Sequence, residues 1–296
     1  MGHHHDHDHA KDMPSSRLGW AFFLNFGFTI IEFIGGVLTN STAILADAVH
    51  DLGDTLSLGL AWLLNKFGNK QPTHQFTYGY QRLNLVGALI NAMVLIAGSA
   101  WVLVTAVPRL WDPQMPMADG MIALAVLGIA VNGFAAYKLS KGKTLNERVI
   151  NWHLLEDVLG WVAVLIVGVA LLFVDWPILD PLLSIAFTLF ILINVARNLW
   201  ATLRLFVQAT PDQETYRNVA ETLQALPEIA DVHHLHFWSL DGESHVLTAH
   251  LVLARNLSAE ESGELKQQID EALLKYELSH TTIELEHPDE VCRDSP

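Results

Sequence analysis

The stretch LADAVHDLGDTLSLGLAWLL, residues 45–64, is apolar enough to lie in a bilayer but carries Asp47, His50, Asp51 and Asp54 in its first half. Burying one ionisable side chain at membrane depth costs at least ~2.5–3.5 kcal/mol on insertion scales. Ionisable residues that a sequence keeps at this depth are functional by default. The stretch therefore raises the question of what compensates these charges.

The hydropathy of the rest of the chain is typical of a membrane protein. Its mean hydropathy is +0.29, which is high for a soluble protein, and runs of about 20 apolar residues are typical of helices that span a bilayer. Six such runs are predicted, at residues 17–38, 42–65, 81–108, 118–139, 145–174 and 176–203. The predicted fold class is an α-helical membrane protein with six transmembrane helices.

Basic residues set the predicted orientation. One side of the six spans carries Lys11, Arg17, Lys66, Lys70, Arg82, Lys138, Lys141, Lys143, Arg148, Arg197 and Arg204, whereas the other side carries Arg109. Because Lys and Arg accumulate in cytoplasmic loops, both termini are predicted in the cytoplasm, with the protein in the inner (cytoplasmic) membrane. No signal peptide is predicted, because the segment before the first span lacks an apolar core and a cleavage site.

Residues 208–296 change character and are predicted to form a separate cytoplasmic domain. Helical spacing and strand-like alternation give the order αββαβ, an α+β fold. This region holds eighteen Asp and Glu against five Lys and Arg, which argues against nucleic acid as a partner. The predicted division is a disordered His/Asp-rich tail at 1–16, a membrane domain at 17–207 and the cytoplasmic domain at 208–296.

A second motif in span five answers the opening question. HLLED, residues 153–157, repeats the His-x-x-x-Asp spacing of the first stretch. Residues four apart lie on one helix face, and all four side chains fall near the bilayer midplane when depth is counted at about 1.5 Å per residue. Since the two spans are antiparallel, His50 is expected level with Asp157, and Asp54 level with His153.

Together these residues form a set of two imidazoles and two carboxylates, which suits a four-coordinate Zn²⁺. Two carboxylates neutralise the divalent ion, whereas the empty site requires protons in its place, and histidine exchanges protons near neutral pH. A midplane site that holds either metal or protons predicts a metal/proton antiporter rather than an enzyme. The alternative, a structural hydrogen-bonded pair on each helix, is disfavoured by the presence of two matched copies.

Over nearly its whole length the sequence resembles the cation diffusion facilitator family of zinc transporters. The resemblance rests on the two His-x-x-x-Asp motifs, FTYGYQRLNLVGALIN at 76–91, DPLLS at 180–184 and the αββαβ tail. It implies that the four residues form the transport site, that protons drive Zn²⁺ out of the cytoplasm and that the protein is a homodimer. It also implies a metallochaperone-like (ferredoxin-like) tail that binds metal and dimerises.

The resemblance also suggests further ligands. In the tail His234, His250 and His287 match by position the family's cytoplasmic zinc ligands. His74 is what remains of a second site that other members build from an acid and two histidines. Within span two Asp47 is interpreted as a residue that supports the ligands or lines the ion pathway, since it lies on nearly the same helix face as His50.

Two alternatives to zinc export stay open. The same architecture could export Co²⁺, Ni²⁺, Fe²⁺ or Mn²⁺, because imidazole and carboxylate ligands do not separate these ions sharply, although Cd²⁺ is the expected second substrate. A metal-dependent membrane hydrolase would need an open coordination position and a general base beside the metal. All four predicted ligands would be needed to coordinate the ion, so no coordination position stays open, which disfavours the hydrolase.

Overall fold

The computed structural model describes residues 15–68, 72–139, 145–276 and 278–294. Of the predicted tail at 1–16, all but Ser15 and Ser16 lies outside these residues, and those two begin the first helix. The chain divides into two compact units. The first consists of residues 1–80 and 86–199, and the second of residues 81–85 and 200–296.

Six long helices correspond to the six predicted spans, and the predicted fold class is confirmed. They are α1 (Ser15–Thr39), α2 (Thr42–Gly68), α3 (Leu83–Ala106), α4 (Ala118–Leu139), α5 (Leu145–Phe173) and α6 (Leu179–Phe206). In the described residues five of them are long and apolar enough to cross a membrane. The remaining helix is α2, which has the length but whose mean hydropathy is lowered by the ionisable residues of the opening stretch.

Two pairs of helices pack closely, α1 with α2 and α4 with α5. The α1–α2 seam is partly polar, since Asn25 Nδ2 donates to the Asp51 carbonyl at 3.2 Å and to Thr55 Oγ1 at 2.9 Å. In the other pair, Trp161 of α5 lies over Gly128 of α4, where a Cβ atom would come within 2.3 Å of the indole. Gly128 is therefore required for the close approach of α4 and α5.

The start of α2 is held by a carboxylate from α6. Asp180, which is 1% exposed, accepts hydrogen bonds from the Thr42 backbone N–H at 2.7 Å, the Thr42 hydroxyl at 2.8 Å and the Ala43 N–H at 3.2 Å. Ser41 Oγ also donates to Asp180 and accepts from the N–H of Ile44 at 3.2 Å. The first amides of α2 are thus satisfied, and a negative charge lies at the positive end of the helix, where it is favourable.

Replacing Asp180 by Ala is expected to destabilise the membrane unit by about 1–2 kcal/mol, the usual range for loss of a helix cap. Asp180→Asn should cost less, because an amide oxygen still accepts hydrogen bonds. Thermal unfolding of the purified protein in detergent measures both effects. Asp175→Asn, at an exposed position in the segment that precedes α6, is the control, and an Asp180→Ala protein as stable as this control would contradict the capping role.

The second unit contains the predicted αββαβ order. Its elements are α7 (Gln213–Gln224), β1 (Ile229–Ser239), β2 (His245–Leu253), α8 (Ala259–Leu273) and β3 (Leu278–Glu286). The sheet order is β1-β2-β3, with β1 antiparallel and β3 parallel to β2. Apolar residues of both helices and all three strands share one core, which includes Leu223, Leu247, Leu251, Leu265 and Ile269.

Both helices of this unit begin with side-chain caps. Asp212 accepts hydrogen bonds from the backbone N–H groups of Glu214 and Thr215, and the hydrogen bonds from Thr215 hold the pKa of Asp212 below its usual range. Ser258 and Glu261 form the reciprocal capping box at the start of α8. The Ser258–Glu261 spacing is a capping-box signature that the sequence itself displays, and it marks the start of α8.

Candidate metal sites

The structure brings the two His-x-x-x-Asp motifs together between α2 and α5. His153 Nε2 lies 3.0 Å from Asp54 Oδ2, and His50 Nε2 lies 3.7 Å from Asp157 Oδ1. Within each helix the His and Asp side chains are 3.9 and 4.0 Å apart. One ligand atom from each of the four residues lies within 4.8 Å of every other.

These distances suit a four-coordinate ion. At metal–ligand distances of about 2.0–2.2 Å, the ligand atoms of a tetrahedral zinc site are roughly 3.3–3.6 Å apart. The His–Asp separations of 3.0–4.0 Å bracket that range. The cross-helix pairs are the ones expected from antiparallel spans, in which His50 is level with Asp157, and Asp54 with His153. The arrangement can therefore accept a divalent ion after small side-chain movements.

Three further acidic residues are buried next to this quartet. Glu32 of α1 is fully buried, and its carboxyl group lies within hydrogen-bonding reach of Asp51. Asp47 is 7% exposed, and its Oδ1 would contact a side chain placed at Gly160 of α5. Glu156, by contrast, is exposed. The ligand set is thus flanked by three further buried carboxyl groups, which belong to α1 and α2.

His74 does not lie in a comparable cluster. It is exposed in the segment between α2 and α3, and in the described residues it belongs to no group of three or more metal-binding side chains. The second site suggested by the resemblance has no other described ligand near it that would complete such a group.

A second cluster lies in the tail, on the sheet. His250 on β2 is paired with His233 on β1, and their rings are 5.5 Å apart. Glu286, at the end of β3, lies 2.8 Å from His250 Nδ1 and 3.1 Å from His233 Nε2. Cys292 Sγ lies 3.4 Å from His250 Nδ1. Ligand atoms of these four residues lie within 4.8 Å of one another.

This cluster shares only His250 with the three tail histidines suggested by the resemblance. The His234 ring is adjacent, 5.1 Å from that of His250, but the backbone of His234 has a φ of 46° in a bulge of β1. His287 is exposed, and its Nδ1 lies 3.0 Å from Asn256 Oδ1. His233 and Glu286 are not among the ligands predicted from the sequence. The pairing of His233 with His250 depends on the bulge in β1, and the position of Glu286 depends on the register of β3.

The electrostatics of the cluster favour an ionised carboxylate beside a protonated thiol. Burial acts to raise the pKa of Glu286, but hydrogen bonds with Cys292 and His250 outweigh it, so that this pKa lies below its usual range. Partial burial and the hydrogen bond with Glu286 hold the pKa of Cys292 above its usual range. A metal ion that bound the thiolate would have to displace this proton.

The apolar helices define an integral membrane protein, and two histidines and two aspartates, side chains that could bind a metal ion, converge between two of these helices. An acidic α+β domain follows the helices. Two family models match the chain. The cation efflux transmembrane domain covers residues 19–207, and the cytoplasmic domain of cation efflux proteins covers residues 211–288. The chain belongs to the cation efflux, or cation diffusion facilitator, family of zinc transporters, and it is a transporter rather than an enzyme.

Curated relatives match nearly the full chain. The zinc transporter ZitB of Pectobacterium atrosepticum is 33% identical over 96% of this chain and 89% of its own length. The cadmium, cobalt and zinc/H(+)-K(+) antiporter of Bacillus velezensis is 30% identical over 95% of this chain and 91% of its own. The metal cation efflux system protein CzcD of Cupriavidus metallidurans is 31% identical over 97% and 90%, respectively.

Proposed function

We propose that this protein exports Zn²⁺ from the cytoplasm in exchange for protons, with Cd²⁺ as a second substrate. One observation carries the proposal. Four side chains with the ligand chemistry of zinc, His50, Asp54, His153 and Asp157, converge within 4.8 Å between two membrane helices. The names of the relatives agree with it, since they mention zinc, cadmium and cobalt and, in one case, H(+)-K(+) antiport.

Charge balance links the metal to protons. Two carboxylates and two neutral imidazoles neutralise a divalent ion, so the loaded site carries no net charge in a low-dielectric environment. An empty site would leave two buried carboxylates uncompensated, which is costly. Protons that bind as the ion leaves remove this cost, and the same protons must leave before another ion binds. Exchange of metal for protons follows from the ligand set itself.

The other parts of the proposal concern placement and assembly. The bias of Lys and Arg supports an inner-membrane protein with both termini in the cytoplasm, so that export moves metal outward. The tail matches the cytoplasmic domain of cation efflux proteins, and we propose that it joins two copies of the chain into a homodimer. Asp47, buried one turn before the quartet, is proposed to line the ion's path to the ligands.

Zinc uptake into proteoliposomes with an acidic interior tests the exchange. Zinc added outside is expected to accumulate inside, and a protonophore should reduce uptake to the level of protein-free vesicles, because protons leaving the vesicle drive the metal in. Co²⁺, Ni²⁺, Fe²⁺ and Mn²⁺, supplied in turn, establish the order of substrates.

Three results would contradict the proposal. Zinc uptake that is unaffected by collapse of the proton gradient would rule out proton coupling. Uptake driven by a potassium gradient alone, without a pH difference, would make K⁺ the counter-ion. Zinc-dependent hydrolysis of a substrate without any zinc flux would favour the hydrolase.

A further inference from the structure

A buried carboxyl group of α2 lies one turn beyond the quartet with an oxygen atom that nothing satisfies. Asp47 precedes His50 by one turn and is 7% exposed. Its Oδ2 atom is buried and, among the described residues, has no hydrogen-bond partner. Buried polar atoms are normally satisfied, so this oxygen needs an explanation. A cation held beside it would supply one.

A glycine of α5 leaves room for such a cation. Gly160 follows Asp157 by one turn. Because α2 and α5 are antiparallel and His50 is level with Asp157, Gly160 is level with Asp47. A Cβ atom at Gly160 would lie 3.6 Å from Asp47 Oδ1 and 3.7 Å from Cζ of Phe187 in α6. Both are ordinary van der Waals distances, so a gap of the size of a methyl group lies between the three helices.

Asp47 is also the last ionisable residue that an ion leaving outward would meet on α2 or α5. In the predicted orientation α2 begins on the outer side, and its residues before Asp47, TAILA at 42–46, carry no ionisable group. The part of α5 that follows Asp157 carries none either. Further outward, α2 and α5 contribute buried residues to one apolar cluster, among them Ile44, Trp161 and Val164. The outward route therefore offers one carboxyl group and then only apolar side chains of these two helices.

We infer that Asp47 and the gap at Gly160 form a release subsite, in which a divalent ion leaving the quartet is held by Asp47 Oδ2 and Asp157 Oδ1 before it moves outward. Asp157 Oδ1 is likewise buried without a hydrogen-bond partner among the described residues. It can therefore stay on the ion while the other three ligands of the quartet release it. The inference rests on the proposed export of Zn²⁺ and adds to it a position outside the ligand set.

Gly160 sets the size of this subsite. A glycine allows the helix backbone to come close to a ligand, whereas a larger residue would place carbon atoms where the ion passes Asp47. Cd²⁺ is larger than Zn²⁺, so a narrower gap hinders Cd²⁺ more. The preference between these two ions would then depend partly on a residue that binds neither of them.

Metal flux through Gly160→Ala in acid-loaded proteoliposomes tests the role of the gap. The added methyl group meets its neighbours at van der Waals distances, and Ala favours a helix over Gly, so this variant should fold at least as stably as the wild type. We expect the ratio of Cd²⁺ to Zn²⁺ flux to fall by about tenfold, the lower end of what one methylene group discriminates in a binding pocket. Gly27→Ala on α1, where an added Cβ has no neighbour within 4 Å, is the matched control and should transport as the wild type does.

Asp47→Asn tests the carboxyl group itself, because it removes the charge and keeps the shape of the side chain. We expect the maximal rate of Zn²⁺ uptake to fall by at least ~10-fold, the lower end of the loss seen when a residue next to a metal ligand is changed. The zinc concentration that gives half-maximal uptake should not rise, because the quartet that binds the ion is intact. Asp47→Glu, which retains a carboxyl group, should recover part of the rate.

The outcomes separate this inference from the proposed function. If the wild type transports zinc and both Asp47→Asn and Gly160→Ala match it in rate and in metal ratio, the inference alone is wrong. A higher half-saturating zinc concentration in Asp47→Asn at an unchanged maximal rate would also overturn it, since Asp47 would then support binding at the quartet and not release. A wild type without zinc flux would overturn the proposed function and this inference with it.

Discussion

Zinc uptake into acid-loaded proteoliposomes is expected to fall by at least ~100-fold when Asp157 is replaced by Ala, since loss of a residue that merely supports a metal ligand already costs 10–100-fold. Asp157 is one of two carboxylates in the quartet and is the most deeply buried of the four residues. Its removal leaves a divalent ion with one compensating charge in a low-dielectric environment. His50→Ala, Asp54→Ala and His153→Ala are expected to have similar effects.

Glu156→Gln is the matched control for this series. It removes a carboxylate from the residue next to Asp157, but Glu156 is exposed and lies outside the quartet, so its flux should equal that of the wild type. Circular dichroism and size-exclusion chromatography establish that every variant is folded. Wild-type flux in two or more of the four quartet variants would exclude this cluster as the transport site.

Replacing His50 by Asp is expected to change the order of transported metals. The substitution exchanges a borderline nitrogen ligand for a third carboxylate, which favours harder ions such as Mn²⁺ and also permits Cd²⁺. We expect the ratio of Mn²⁺ to Zn²⁺ flux to rise by about tenfold, equivalent to roughly 1.4 kcal/mol of relative affinity. Competition between the two ions in the same vesicles measures this ratio directly.

His74→Asp makes the same chemical change at an exposed position outside both clusters. It should leave the metal order unchanged, because its carboxylate cannot reach the ion between α2 and α5. An unchanged order in His50→Asp would show that His50 does not bind the transported ion, even if its removal stops transport.

The sequence predicts the membrane helices and the convergence of the four side chains because both depend on simple periodicities. A spacing of four residues places His50 and Asp54 on one face of a helix, and counting residues from the membrane surface gives their depth. The same applies to the tail, where alternation gives the strands and a capping box gives the start of α8. Features set by local geometry were therefore predictable without coordinates.

Other features depend on contacts between distant segments and could not be predicted. The pairing of His233 with His250 requires a bulge at His234, a residue whose positive φ nothing in the sequence signals. Asp180 looks like an ordinary acidic residue at the start of a helix until its hydrogen bonds to α2, more than a hundred residues away, are seen. Cys292 meets the sheet only because the chain turns back after β3.

The close packing of α1 with α2, and of α4 with α5, divides the quartet into two halves. His50 and Asp54 belong to the first pair of helices and His153 and Asp157 to the second, while α2 and α5 themselves pack much less extensively. Sliding one pair along the other would leave the two separations within each helix unchanged but would alter both cross-helix separations at once. A bound ion would thus hold the two helix pairs together. Its release would be coupled to the displacement of one pair along the other.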